Sequence, residues 1–153
     1  MTDEDYMRMA IQQAGVAAEE DEVPVGAVIV RGGRIVGKAH NQVEILRDPT
    51  AHAEMIAITQ AAADGGDWRL TDCVLYVTKE PCVMCAGAIV HARVARVVFG
   101  VRDPQRGGAV SVFQVLNNKH LNHRVEITEG VLETECRALL QDFFRAKRED
   151  PGT

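Results

Sequence analysis

The sequence contains few cysteines, few aromatic residues and no long apolar run. Its 153 residues include four cysteines, one tryptophan and 5% aromatic residues. Four unevenly spaced cysteines do not form a disulfide framework, so metal binding is the better use for any pair of them. No apolar stretch approaches the ~20 residues of a membrane span, and the acidic N-terminus lacks the basic start of a secretory signal. We therefore expect a cytoplasmic protein without membrane association.

Basic residues are outnumbered by acidic ones, 17 to 22, so the formal net charge is −5. Taken alone, that value argues against a nucleic-acid partner. The negative charge is concentrated in residues 1–22, which carry a net charge of −6, whereas residues 137–148 carry +3 together with two phenylalanines. A basic surface for nucleic acid can therefore exist despite the acidic total.

Length and apolar spacing predict one α/β domain that covers residues 1–153. Helical spacing is found at about 3–20, 51–66, 81–92 and 132–148, with a short helix near 111–116. Strands are predicted at 23–30, 35–41, 73–78, 96–100 and 125–128, and the first two are joined by a tight turn at the Gly-Gly pair 32–33. Alternation of this kind predicts a mixed five-stranded sheet with helices on both faces, a three-layer α/β/α fold.

Two short stretches contain residue types that bind metal ions or transfer protons. "TAHAEM" places His52 and Glu54 in an otherwise apolar run, and "EPCVMC" places Cys82 and Cys85 three apart at a helix start. Residues two apart on a helix do not face each other, so His52 and Glu54 can share a site only beyond the helix N-terminus. Two helix N-termini at a common point favour thiolates and a metal-bound hydroxide.

One histidine and two cysteines suit one Zn²⁺ ion per chain in tetrahedral geometry with an open fourth position. Such a zinc ion lowers the pKa of its water to about 7, and Glu54 is then the free carboxylate that moves the proton. Other interpretations are a redox Cys-x-x-Cys pair or a structural zinc with Cys73 or Cys136 as fourth ligand. We expect Cys73 and Cys136 to be small core residues, and Trp68 to be a core or turn anchor.

The motifs resemble the zinc-dependent cytidine deaminase superfamily, whose signature is "HAE" followed by "PCVMC". The stretches "EVPVGAVIV", "DPTAHAE" and "LYVTKEPCVMCAGAIVHARVARVVFG" extend the similarity to the bacterial tRNA-specific adenosine deaminases over nearly the whole chain. The resemblance implies a cytidine deaminase-like fold, a homodimer and hydrolysis of the wobble adenosine of a tRNA anticodon to inosine. It assigns His52, Cys82 and Cys85 to zinc and Glu54 to proton transfer. Lys79 departs from the family pattern, where an apolar residue is expected.

A tRNA substrate predicts further contacts around the metal. An anticodon stem-loop presents an unstacked base at low cost, and RNA differs from DNA by its 2′-hydroxyl groups, so no DNA substrate is expected. Asn41 would contact the purine edge because of the resemblance, and Asp103 would accept a hydrogen bond from a ribose 2′-hydroxyl. The residues that would supply phosphate contacts or stacking, or else form a solvated helix face, are Arg106, Phe144, Arg145 and Arg148.

Two other functions stay open from the sequence. The same zinc and glutamate would serve a deaminase of a free nucleobase or nucleotide, of guanine or cytosine type. A non-catalytic zinc-stabilised RNA-binding protein would also retain the metal ligands, and Glu54 would then have no chemical role.

Overall fold

The computed structural model describes residues 1–149, and the last four residues of the predicted domain lie outside that range. Five strands form one sheet: β1 (Gly26–Arg31), β2 (Arg34–His40), β3 (Cys73–Lys79), β4 (Arg96–Val101) and β5 (Glu126–Glu129). Their order in the sheet is β2-β1-β3-β4-β5. The strand β1 pairs antiparallel with β2 and β3, whereas β3, β4 and β5 run parallel to one another. The predicted mixed five-stranded sheet is confirmed.

Helices cover both faces of this sheet. They are α1 (Asp3–Glu19), α2 (Val43–Leu46), α3 (Ala53–Gly65), α4 (Val83–His91) and α5 (Glu133–Arg148). On one face, α1 and α5 contact the sheet and each other. On the other face, α3 packs against β1, β2 and α4. A buried apolar cluster fills each of the two interfaces. The three-layer α/β/α prediction is confirmed, and no helix within residues 1–149 has the length and apolar character to cross a membrane.

The strand directions bring distant parts of the chain to one edge of the sheet. The carboxyl ends of β2, β3 and β4 lie at this edge because these strands are parallel in direction, and the antiparallel β1 begins there. Carboxyl ends of parallel strands commonly form the binding crevice of an α/β protein. Residues that follow β2, β3 and β4, and residues that precede β1, therefore surround a common space.

One prediction about local structure was wrong, and one of the two interpretations of Trp68 is excluded. Residues 111–116 form turns and irregular structure instead of a helix, because their N–H groups do not bond in the i to i−4 pattern: those of Phe113 and Val115 donate to the carbonyls of Gly107 and Gly108, six and seven residues earlier. Trp68 is 53% exposed and stacks against the Arg69 guanidinium, which excludes the core interpretation and leaves the turn interpretation, because the residue lies in the bend after α3.

The helix α2 was not predicted, because its four residues are too few to show a helical periodicity. The tight turn between β1 and β2 was predicted and is present. Gly32 and Gly33 both have positive φ, as the tight turn between β1 and β2 requires.

A partly buried ion pair joins the start of α1 to β3 and β4. Asp3 accepts from Arg96 at 3.1 and 2.5 Å and from the Tyr76 hydroxyl at 2.8 Å. The hydrogen bond from Arg96 holds the pKa of Asp3 below its ordinary value, against the opposing effect of burial. A depressed pKa means that this contribution to stability is present above the unfolded pKa and disappears as the pH falls through the folded value.

We expect Asp3→Asn to lower the free energy of unfolding at pH 7 by about 1 kcal/mol, since the pair is partly exposed. The difference between the wild type and the variant should shrink as the pH is lowered below about 4. Urea unfolding of both proteins from pH 7 to pH 3 measures it. A difference that stays constant over this range would contradict the prediction.

Candidate metal and substrate site

Two helix N-termini meet at the shared edge of the sheet. His52 is the N-cap of α3, and Cys82 is the N-cap of α4, with Cys85 in the first turn of the same helix. Neither N-cap side chain bonds its own helix in the usual capping manner, so the imidazole and the thiol are available for another partner. The location beyond both helix ends agrees with the spacing argument for His52 and Glu54.

The three side chains form the one group of metal-ligand type found within residues 1–149. The Nδ1 atom of His52 lies 3.7 Å from Sγ of Cys82 and 3.5 Å from Sγ of Cys85, and all three atoms lie within 4.8 Å of one another. A tetrahedral zinc ion with bonds of about 2.3 Å to sulfur and about 2.0 Å to nitrogen would set such atoms roughly 3.5 Å apart. The two nitrogen-to-sulfur distances therefore match those around a bound metal ion, and these three residues could hold one.

The electrostatics of the group favour a thiolate at Cys82. Hydrogen bonding from the Cys85 thiol, with help from the neighbouring His52, lowers the pKa of Cys82 well below its ordinary value. The hydrogen bond to Cys82 raises the pKa of His52. Cys73 and Cys136 are buried in the core clusters and lie outside the group, as expected for small core residues.

Glu54 lies directly beside the two cysteines. It is 3% exposed, and it lies close enough to Cys85 to contribute to the raised pKa of that thiol. Burial raises the pKa of this carboxyl group, although the nearby His52 acts in the opposite direction. A buried carboxyl group with a raised pKa beside three ligand atoms is typical of a group that accepts and returns protons.

A cavity of about 730 Å³ opens above this group. His52, Glu54 and Cys82 line its inner part. Its walls come from the segment before β1, from α2, from the residues after β3 and β4, and from α5. This volume is within the range of ligand sites in proteins, and the opening lies at the expected edge of the sheet.

Asn41, which follows β2, lines the cavity and also supports α3. Its Oδ1 atom accepts a hydrogen bond of 2.8 Å from the N–H group of Ala53. This bond satisfies one unpaired donor at the start of α3 and leaves the amide Nδ2 group to donate into the cavity. The observed hydrogen bond is a local backbone contact, and contact of Asn41 with a purine edge stays a prediction.

Asp103, which follows β4, also lines the cavity, and Lys79 explains its conformation. The Nζ atom of Lys79 lies 3.1 Å from Oδ2 of Asp103, while Oδ1 accepts from the N–H groups of Gln105 and Arg106. Burial alone would raise the pKa of Asp103, but Lys79 and the two N–H donors outweigh it and hold the pKa below its ordinary value. Lys79, which departs from the family pattern, is therefore the ion partner of Asp103, a residue predicted to contact the substrate.

The segment 103–111 lies against the metal group itself. Gly107 forms a β-bridge with Cys82, and the N–H group of Gly108 donates to Pro81 at 2.7 Å. A Cβ atom on Gly108 would lie 2.8 Å from the carbonyl oxygen of Cys82, so only glycine permits this approach. The close packing couples the position of the segment to that of a metal-ligand residue.

The predicted RNA-contact residues fall into two groups. Arg106 and Phe144 line the cavity, and Phe144 is 42% exposed at its edge. Arg145 and Arg148 are exposed on α5 outside the cavity lining, and Arg145 lies 3.4 Å from Asp142. The structure therefore does not bring Arg145 and Arg148 to the cavity.

Several cavity residues were not identified from the sequence as site residues. Lys147 lines the cavity and pairs with Asp21 at 2.7 Å, which links the basic end of α5 to the acidic end of α1. The other unpredicted lining residues include Glu22, Ile45, Lys79, Glu80 and Phe143. Only Lys79 carried a signal in the sequence, because a charged residue stood at a position expected to be apolar.

Comparison with known proteins agrees with this geometry. The MafB19-like deaminase family matches residues 1–148. A tRNA-specific adenosine deaminase of Bacillus subtilis (strain 168) is 48% identical over 146 residues, which are 95% of this chain and 91% of that protein. A solved structure from a study of A-to-I editing by tRNA:A34 deaminases at the wobble position superposes with a TM-score of 0.86. It is 39% identical and covers 89% of this chain and 99% of its own.

A guanine deaminase structure from Bacillus subtilis shows a more limited similarity. It is also 39% identical, but the TM-score is 0.64 and the match covers 67% of this chain and 66% of that one. The resemblance inferred from the motifs is confirmed by the matches over nearly the full length. The chain therefore belongs to the MafB19-like deaminases and, among them, to the family of the tRNA-specific adenosine deaminases.

Proposed function

We propose that this protein hydrolyses the wobble adenosine of a tRNA anticodon to inosine. The observation that carries the proposal is the group of His52, Cys82 and Cys85 beside the buried Glu54 at the inner end of one cavity. The name of the Bacillus subtilis relative and the tRNA:A34 study support adenosine in tRNA as the substrate. Such a reaction takes place where tRNA is used, so we propose a cytoplasmic enzyme.

Zinc is the proposed cofactor, held by His52, Cys82 and Cys85. Two thiolates and an imidazole are the donor set that Zn²⁺ prefers in a site with one open position. When bound, zinc supplies a Lewis acid that lowers the pKa of a water molecule to about 7. These three residues would hold the ion with one coordination position left free, and His52 and Cys82 line the cavity that a substrate would enter.

Glu54 is the proposed proton carrier. It would take a proton from the attacking water and place it on the ring nitrogen next to carbon 6 of adenine. A second proton transferred through Glu54 allows the amino group to leave as ammonia, while the water oxygen stays on the ring as the carbonyl of inosine. Asn41 would orient the base through its free amide N–H group.

Recognition of the tRNA is proposed to use the outer cavity. Arg106 would contact a phosphate and Phe144 would stack on an exposed base, since both are at the cavity. Arg145 and Arg148 would contact phosphates only if the anticodon stem extends along the exposed side of α5. The family resemblance also implies a homodimer, which light scattering of the purified protein tests.

One assay separates the proposed function from the alternatives. The purified protein is incubated with a tRNA that carries a wobble adenosine and, separately, with free adenosine, guanine and cytidine, and inosine and ammonia are measured. We expect inosine only in the tRNA. Release of ammonia from free guanine or cytidine would identify a nucleobase or nucleoside deaminase, and no product from any substrate would favour a zinc-stabilised binding protein.

The Lys79–Asp103 pair gives a prediction about the choice between RNA and DNA. Asp103→Asn should lower the deamination rate on an RNA anticodon stem-loop relative to the rate on its deoxy counterpart, because it weakens the proposed acceptor of the 2′-hydroxyl hydrogen bond. Lys79→Met should raise this RNA-to-DNA rate ratio, on the order of tenfold, because the Asp103 carboxylate then loses its ion partner and depends more on the hydrogen bond from the 2′-hydroxyl. Equal ratios in the wild type and both variants would exclude Asp103 from sugar recognition.

A further inference from the structure

Two buried glutamates that the proposed reaction does not use lie on different sides of the cavity. Glu22 is 1% exposed and Glu80 is 2% exposed, and both belong to the cavity lining. A carboxylate at such depth is costly unless hydrogen-bond donors surround it. In both cases most or all of the donors are main-chain N–H groups of a separate segment. Each glutamate therefore binds one piece of backbone.

Glu80 binds the segment 103–111. Its Oε1 atom accepts from the N–H group of Asp103 at 3.0 Å and from the hydroxyl group of Ser111. Its Oε2 atom accepts from the N–H groups of Ala109, Val110 and Ser111 at 3.1, 2.8 and 3.0 Å. Five donors on one carboxylate hold both ends of the segment against the end of β3.

Glu22 binds the helix α2 on another side of the cavity. Its Oε1 atom accepts from the N–H group of Glu44 at 3.1 Å, and its Oε2 atom accepts from that of Ile45 at 2.8 Å. The helix α2 has only four residues and no capping side chain of its own, so these two bonds replace a conventional cap. Val43, Glu44 and Ile45 of this helix line the cavity.

We propose that Glu22 and Glu80 are positioning residues that each fix one wall of the substrate cavity. The identity of the substrate in this inference rests on the proposed function, whereas the fixing of the walls does not. The two walls differ in their relation to the metal group. The segment 103–111 is bridged to Cys82 through its backbone, whereas α2 is joined to β2 and α3 by short loops and carries no metal-ligand residue.

This difference predicts separate effects for the two glutamates. Replacement by glutamine keeps the size of the side chain but replaces an acceptor oxygen by an NH₂ group, which cannot accept from an N–H donor. In Glu80→Gln, the wall that touches Cys82 should loosen, so kcat should fall and the zinc ion should leave faster. In Glu22→Gln, α2 should loosen, so the KM for tRNA should rise while kcat and zinc release stay constant.

The experiment uses the zinc-loaded protein of residues 1–153 and three variants. We expect Glu80→Gln to lower kcat and to accelerate zinc transfer to a chromogenic chelator, each on the order of tenfold. Glu22→Gln should raise KM by a similar factor with no change in chelator kinetics. Asp3→Asn is the control, because it weakens partly buried hydrogen bonds of a residue that does not line the cavity and should lower thermal stability alone.

Lower thermal stability without these separate changes in kcat, KM and zinc release would overturn the inference and make both glutamates structural only. If Glu80→Gln does not fold, Ser111→Ala removes one donor from the same carboxylate and should show the same pattern more weakly; an unchanged zinc release rate there would also overturn it. If the wild type does not deaminate tRNA, the proposed function fails, yet zinc release still tests the wall next to Cys82.

Discussion

Glu54→Gln should abolish deamination and leave the metal in place. The glutamine side chain fills the same buried space beside Cys85 but cannot carry a proton between water, the ring nitrogen and the leaving amine. The rate should therefore fall by at least ~10²–10⁴, the usual contribution of a general acid–base group. Inosine formation under single-turnover conditions, measured together with zinc content by elemental analysis, gives both quantities.

The matched control for this variant is Glu19→Gln, which changes an exposed glutamate on α1 and should leave the rate unchanged. Loss of zinc together with activity in Glu54→Gln would show that Glu54 is a ligand or a structural support of the site. Full activity would remove Glu54 from the mechanism and favour a water-mediated proton path without a side-chain carrier.

Cys82→Ala should remove both the metal and the activity. The substitution leaves one thiol and one imidazole, which are too few donors for a stable tetrahedral site. We expect less than about one tenth of the wild-type zinc content after dialysis, and no measurable inosine. The thermal midpoint should also fall, because the native state loses the stabilisation that a bound ligand provides.

Cys73→Ala is the control for Cys82→Ala, because it also removes a partly or fully buried free thiol but lies outside the ligand group. It should retain zinc and activity, although its thermal midpoint can drop through lost packing. Zinc content that is equal in Cys82→Ala and in the wild type would contradict the proposed ligand set.

The metal group and the layers of the fold could be predicted from the sequence for physical reasons. The Cys-x-x-Cys spacing restricts both thiols to one helix turn, and His52 before an apolar helix restricts the imidazole to a helix end. The hairpin at Gly32 and Gly33 follows from the positive φ that this turn needs. These features are local, so a short stretch of sequence determines each of them.

The cavity walls could not be predicted, because they depend on contacts between segments far apart in the chain. Glu80 and Ser111 are 31 residues apart, and Glu22 and Ile45 are 23 apart, with no pattern that joins them. The helix predicted at 111–116 fails partly for the same reason: its apolar spacing is helical, but the N–H group of Ser111 donates to Glu80, 31 residues earlier. Lys79 was noticed as unusual, and only the structure identifies Asp103 as its partner.

The wide separation of the ligand residues has a consequence for how the protein matures. His52 lies 30 residues from Cys82 and 33 from Cys85, on different helices that the sheet holds together. In an unfolded chain, bringing these donors together requires closing a loop of about 30 residues, which lowers the chain entropy. In the folded chain this entropy has already been lost when the sheet forms. If the proposed zinc ion is bound, a newly synthesised chain should acquire it after β3 has joined the sheet, and a shortage of zinc should shorten the lifetime of the protein in the cell as well as lower its activity.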